Sequence, residues 1–158
     1  MKHLSLVMAL VAACSGSDAD VEGDYTIALT NRDNGCMFAN WTVGDQTTGV
    51  PVVIGQDGSN VTATVNGGAG LVLDVALGAR TYTGDIDGDD LVLELFGTRG
   101  QQMGNCSFTY NSTIDATLDD DSLTGRIEYR AATNGNPDCS ALEDCLSFQD
   151  FNGTRPPP

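Results

Sequence analysis

Residues 108–118, Phe108-Thr109-Tyr110-Asn111-Ser112-Thr113-Ile114-Asp115-Ala116-Thr117-Leu118, decide the fold with the segment that follows them. Beyond Asp119-Asp120-Asp121-Ser122 the chain continues Leu123-Thr124-Gly125-Arg126-Ile127-Glu128-Tyr129-Arg130-Ala131. Both stretches alternate apolar or small residues with polar ones, which is the period of a half-buried strand. Taking Asp120-Asp121 as a hairpin loop sets Leu118 against Leu123 and Ile114 against Ile127, with Asp115 facing Arg126 on the outside. Apolar faces that meet in this way are what a correct register must give.

The same test works at two other turns. With Gly88-Asp89 as the loop, Ile86 faces Leu91 and Tyr82 faces Leu95; with Asp57-Gly58, Ile54 faces Val61. Asp-Gly and Asp-Asp dipeptides supply the backbone angles that two-residue loops need. The chain thus reads as strands at 24–31, 50–56, 60–66, 70–77, 81–87, 90–97, 106–119 and 122–133. A tail near 148–154 is expected as a ninth strand, and Ser140 to Leu146 as the one short helix.

A sheet of eight or nine sequential strands with one apolar face must cover that face. Closure into an all-β, antiparallel up-and-down barrel covers it and removes the edges. A β-sandwich is the alternative, disfavoured by the short loops. Arg126, Glu128 and Arg130 lie mid-strand on the polar face, where lipid would penalise them, so a transmembrane barrel is not expected.

The chain begins Met1-Lys2-His3, then runs apolar from Leu4 to Leu10 and ends in Val11-Ala12-Ala13-Cys14. A basic start, a short hydrophobic core and small residues make a secretory signal, too short to span a membrane. Val11-Ala12-Ala13-Cys14 resembles the lipobox of bacterial lipoproteins. That resemblance implies removal of residues 1–13 and acylation of Cys14, with Ser15 in the next position favouring the outer membrane. The expected organisation is a signal peptide (1–13), a lipidated tether (14–23) and a single β-barrel domain (24–158), held to the cell envelope by its lipid.

Removal of the signal changes the inventory. Lys2 and His3 are the only lysine and histidine, so the mature chain carries six arginines against 22 Asp and Glu, a side-chain charge of −16. Nucleic acid is excluded as a partner, because its binding rests on neutralising phosphates. Without histidine or lysine there is no Ser-His-Asp triad, no Cys-His pair, no imidazole zinc site and no Schiff base. No cofactor and no metal are expected, and the chain is not expected to be an enzyme.

Cys36, Cys106, Cys139 and Cys145 form an even set in an exported chain, which reads as two disulfides. Strand parity places Cys106 at the barrel end where the eighth strand finishes, close to Cys139 and Cys145, so one bridge ties Cys106 to the tail. The partner of Cys36 stays open.

The inward positions are almost all apolar, with Ala63, Gly84, Ala116 and Gly125 as small ones. Small inward residues either leave a cavity for an apolar molecule or mark places where strands bend to close a barrel. Tyr82, Tyr110, Ser112 and Tyr129 are the inward polar groups able to orient a ligand, and Trp41 either plugs one barrel end or forms a ligand lid. Lipocalins have a tryptophan in a Gly-x-Trp motif near the start. Here Ala39 replaces the glycine, so the chain is similar to lipocalins in architecture. Asn34-Gly35-Cys36, Trp41, Cys139 to Cys145 and Phe151-Asn152-Gly153-Thr154-Arg155 resemble a set of uncharacterised bacterial lipoproteins, which implies no particular activity.

Three acidic features complete the list. Asp85-Ile86-Asp87-Gly88-Asp89-Asp90 looks like half a calcium loop but lacks the EF-hand spacing and reads as a hairpin tip. Asp119-Asp120-Asp121 reads likewise as a turn. Asp74 and Glu94 are the pair that a weak third reading, a carboxylate-dependent hydrolase, would use. The leading expectation is a non-enzymatic binding lipoprotein, with an apolar small molecule in the barrel or an envelope macromolecule on its surface. A structural or interaction lipoprotein with a filled barrel is the alternative.

Overall fold

The computed structural model describes residues 18–156, so the expected signal peptide and Cys14 lie outside the described residues. Nine strands form: β1 (Gly23–Asn34), β2 (Gln46–Asp57), β3 (Asn60–Val65), β4 (Thr81–Asp87), β5 (Asp90–Leu95), β6 (Gln101–Met103), β7 (Cys106–Asp119), β8 (Ser122–Thr133) and β9 (Leu146–Thr154). One helix, α1 (Gly67–Ala76), and a 3-10 turn at Pro137–Cys139 complete the elements. Eight strands close the antiparallel barrel in the order β1-β2-β3-β4-β5-β7-β8-β9, with β9 pairing back onto β1. The three-residue β6 lies outside this ring, on the first residues of β7.

The decisive hairpin forms in the expected register: Leu118 faces Leu123, Ile114 faces Ile127 and Asp115 faces Arg126. Ile86 likewise faces Leu91. The β2–β3 hairpin differs. Its turn is Gly58-Ser59, so Ile54 faces Ala63 and Gln56 faces Val61. The difference is a slip of two residues, which keeps every side chain on its expected face because the side-chain period is two. Gly58 takes φ +63°, which its lack of a Cβ allows.

The larger correction is at 70–77, expected as a strand and found as α1. Leu71-Val72-Leu73-Asp74-Val75-Ala76-Leu77 is apolar at nearly every position, so the alternation of its leucines discriminates poorly. The residues that pack inward are Ala69, Leu73, Ala76 and Leu77, the three- and four-residue spacing of a helix. Closure gives the physical reason. An odd number of meander strands cannot close with every pair antiparallel. Taking 70–77 out of the sheet leaves eight, with the tail strand β9 as the closing member. The short helix expected at 140–146 is likewise replaced by the 3-10 turn and the bends after it, in which Leu142 N–H and Glu143 N–H donate to the Cys139 carbonyl.

The two barrel ends differ. Turns 58–59, 88–89 and 120–121 lie at one end, which also receives the N-terminal segment. Loop 35–45, α1, segment 96–105 and segment 134–145 lie at the other. Residues 18–23, expected as the end of a tether, pack on the first end. Ala19 N–H donates to Gly88 O at 2.8 Å and Gly88 N–H to Asp18 Oδ1 at 3.2 Å. Val21 is fully buried beneath the Tyr25 ring's hydroxyl, which donates to Val21 O at 3.1 Å. The hairpin tip at 85–90 thus holds the chain's entry segment. Arg155 joins it from the C-terminal side, donating to Asp121 Oδ1 at 2.8 Å and to Glu22 O at 2.7 Å.

Candidate functional site: the barrel interior and its aromatic end

The four inward polar residues expected to orient a ligand are all buried, and protein groups occupy three of them. Tyr82 comes from β4, Ser112 from β7 and Tyr129 from β8. Antiparallel pairing places Ser112 directly opposite Tyr129 on one side and opposite Leu95 on the other. Tyr82 reaches past β5, and its hydroxyl donates to Ser112 Oγ at 3.1 Å. The Tyr129 hydroxyl donates to Gln149 Oε1 at 2.8 Å, and Gln149 Nε2 donates to Asn31 Oδ1 at 2.8 Å. Among the described residues no buried side-chain nitrogen or oxygen is left without a partner.

Burial governs the acidity of these phenols. It pushes Tyr82 up to about 12, with the neighbouring Ser112 and Tyr129 hydroxyls offsetting part of the effect. Tyr129 is raised well above the ordinary range, first by burial and then by the neighbouring Tyr82, and Tyr110 is raised by burial alone. A phenol that holds its proton this firmly can donate or accept a hydrogen bond but offers no base at neutral pH.

The small inward residues are points of close approach. A Cβ on Gly84 would run into the Val92 carbonyl and Leu93 Cα, one on Gly125 into the Asp115 carbonyl and Ala116, and one on Gly153 into the Ile27 side chain. These glycines let backbones and side chains approach more closely than a Cβ would allow. A depression of about 140 Å³ between β5, β7 and β8 is lined by Glu94, Phe96, Glu128 and Arg130 and by the buried Leu95 and Ser112; an open acidic groove of about 490 Å³ lies among Asp18, Asp20, Glu22 and Gln56.

Trp41 sits at the second barrel end, half-buried, with Nε1–H donating to Arg32 O at 2.8 Å. It belongs to an aromatic cluster that sequence reading did not assemble, because its centre is Phe38. The Phe38 ring lies 4.6 Å from Tyr110, 5.6 Å from Tyr129 and 5.7 Å from Trp41 between centroids, and Trp41 meets Tyr129 edge-on at 6.1 Å. Asn34 clamps Phe38 by both ends of its amide: Phe38 N–H donates to Asn34 Oδ1 at 2.8 Å, and Asn34 Nδ2 donates to Phe38 O at 2.9 Å. The signal available in sequence was an aromatic pair, Phe38 and Trp41, just after Cys36 in a segment without alternation.

Two disulfides hold this end. Cys106 is bonded to Cys139, the expected tie to the tail, and Cys36 to Cys145, which settles the open partner. Ser147, fully buried, accepts the Cys36 N–H at 3.0 Å and donates to Asn34 Oδ1 at 3.1 Å, so the bridge, the clamp and the plug form one unit.

Asp74 and Glu94 are held apart in role. Asp74 lies on α1 with Arg80 3.6 Å away, and Glu94 lies on β5 between Thr83 and Thr113. Comparison of the chain with protein-family models, with curated proteins and with solved structures gives no match.

Proposed function

We propose that this protein is an envelope-anchored, non-enzymatic interaction module, in which a filled, lipocalin-like barrel presents its outer surface and Cys14 carries the lipid. The observation that carries the filled-barrel reading is the internal network: Tyr82, Ser112 and Tyr129 are bound to protein partners, and the inward glycines mark crowded contacts. Both favour an interaction role over the carriage of an apolar molecule inside, since a carrier needs apolar space with a few free polar groups.

The charged outer wall supports a barrel held at a membrane rather than one that crosses it. Arg126, Arg130 and Glu128 stand on the outside of β8, where hydrocarbon would disfavour them. The anchor also fixes an orientation. Cys14 is four residues from Asp18, which already packs on the barrel, so the contour between them is about 14 Å at roughly 3.5 Å per residue. The acidic end of the barrel then faces the lipid head groups and the aromatic end points away from them.

The test is native mass spectrometry of the mature protein before and after solvent extraction. The expected result is an unchanged mass four hydrogens below the reduced polypeptide plus its acyl groups. A mass of a few hundred daltons that extraction removes would reinstate the carrier. Incorporation of labelled fatty acid that Cys14→Ala abolishes is the expected sign of the anchor; incorporation unaffected by that substitution would reject it.

A further inference from the structure

Asparagine precedes glycine four times in the chain, at Asn34-Gly35, Asn66-Gly67, Asn134-Gly135 and Asn152-Gly153. The dipeptide carries a chemistry of its own. Glycine has no Cβ to obstruct its main-chain nitrogen, which can close onto the asparagine Cγ if both groups are free to move.

Three of the four pairs are held. Gly35 N–H donates to Leu146 O at 2.8 Å, and the Asn34 amide is fixed at both ends by Phe38 and by the Ser147 hydroxyl. Gly153 is buried within β9, paired on either side to β1 and β8. Gly135 N–H donates to Thr133 Oγ1 at 3.2 Å, while Asn134 Nδ2 donates to Asn105 O at 3.1 Å and Asn134 Oδ1 accepts the Asn136 N–H at 3.3 Å.

Asn66-Gly67 differs on every count. Gly67 begins α1, where the first amides find no acceptor within the helix, and its N–H has none among the described residues. Gly67 and Gly68 are exposed, and a Cβ added at Gly67 would meet only the Pro51 ring, at 3.5 Å. The Asn66 side chain does not cap the helix; its single hydrogen bond, to Thr64 O, is long at 3.4 Å. The Asn66 main chain is anchored by contrast, its N–H donating to Pro51 O at 2.8 Å and its carbonyl accepting the Gly70 N–H at 3.3 Å. A loose amide and a free nitrogen are thus kept side by side on a fixed backbone.

We infer that Asn66 is a site of self-modification, at which the chain turns asparagine into aspartate and isoaspartate without an enzyme. The Gly67 nitrogen loses its proton and attacks Asn66 Cγ. The new C–N bond forms, the Cγ–Nδ2 bond breaks, and ammonia leaves with the proton. Water then opens the cyclic imide at either carbonyl, and each product carries an added negative charge. The two products act oppositely on α1, which has no side-chain cap and no acid in its first turn. Aspartate places a carboxylate at the N-cap, where it favours the helix. Isoaspartate routes the main chain through Cγ, so the carbonyl that accepts the Gly70 N–H becomes a carboxylate off the chain and the first turn loosens. The inference is independent of the Cys14 anchor and of any partner of the barrel surface.

The test is incubation of the folded protein in mildly alkaline buffer, followed by peptide mapping with electron-transfer fragmentation, which separates aspartate from isoaspartate at each position. Reduced protein in denaturant, incubated alongside, gives the rate of each pair without the fold. The expected result is conversion at Asn66 at least tenfold faster than at Asn34, Asn134 or Asn152 in the folded protein, against similar rates at all four in denaturant. Asn66→Gln is expected to remove the more acidic form that anion-exchange chromatography resolves from the aged protein. Earlier conversion at another pair, equal rates at all four in the folded protein, or an Asn66 that stays intact would overturn the inference.

Discussion

Tyr82 and Ser112 meet inside the barrel, the phenol of β4 donating to the hydroxyl of β7 at 3.1 Å past the strand that separates them. Each removes the other's need for water or for a ligand. Tyr82→Phe leaves the buried Ser112 without this donor and is expected to cost about 1–3 kcal/mol of stability. Tyr82→Phe combined with Ser112→Ala removes both partners and should recover much of that loss. Denaturant unfolding of the two single variants and the double variant measures the coupling; strictly additive losses would show that the pair does not act as a unit.

All four tyrosines of the chain, Tyr25, Tyr82, Tyr110 and Tyr129, hold their protons more firmly when folded than a free phenol does, with burial the largest cause in each. A folded-state pKa above the unfolded value means that the folded chain binds the proton more tightly. The stability this contributes is fully present below about pH 10, the ordinary phenol value, and is lost as pH rises toward 12. Phenolate absorbance should therefore stay low to above pH 10 and then rise together with loss of the folded signal. A smooth titration centred on pH 10 in the folded protein would contradict the buried network.

Gly125 tests how closely β7 and β8 approach each other. A methyl group there meets the Asp115 carbonyl and Ala116, so Gly125→Ala is expected to destabilise by about 1–3 kcal/mol through overpacking. Were β7 and β8 farther apart there, the same methyl would cost little. Thermal unfolding of the single variant reads the difference.

Cys36–Cys145 spans 109 residues of sequence and Cys106–Cys139 spans 33. The chain-entropy model assigns about 5 kcal/mol to the longer loop and about 4 kcal/mol to the shorter. Removal of the longer bridge by Cys36→Ala with Cys145→Ala is therefore expected to lower stability more than removal of the shorter. It should also loosen the Asn34 clamp on Phe38. Trp41 is the only tryptophan, so its fluorescence reports directly on that loosening. A red shift is expected for the Cys36/Cys145 variant and a smaller one for the Cys106/Cys139 variant.

Val21 measures how far the entry segment belongs to the barrel. It is fully buried, and Gln56 Oε1 accepts its N–H at 2.8 Å. Val21→Asp is expected to destabilise by several kcal/mol, because an isolated carboxylate would lie in an apolar site. A change below 1 kcal/mol would return residues 18–23 to the role of a tether.

The sequence by itself determined the strand faces, the β7–β8 and β4–β5 registers, the closed antiparallel barrel and the tie of Cys106 to the tail. These follow from a period of two and from turn chemistry, both local properties of the chain. The tertiary structure decided what depends on counting and on contact at long range. Residues 70–77 became α1 because closure requires an even number of strands and because Ala69, Leu73 and Leu77 share a helical face. Cys36 chose Cys145 because β9 returns beside β1 and brings Ser147 under the Cys36 amide. Tyr82, Ser112 and Tyr129 were legible as inward, but not as partners of one another, since hydrogen bonds across a barrel join residues with no fixed sequence spacing. Phe38 became the centre of the plug for the same reason: its neighbours come from β7, from β8 and from its own loop, and only closure of the barrel brings them together.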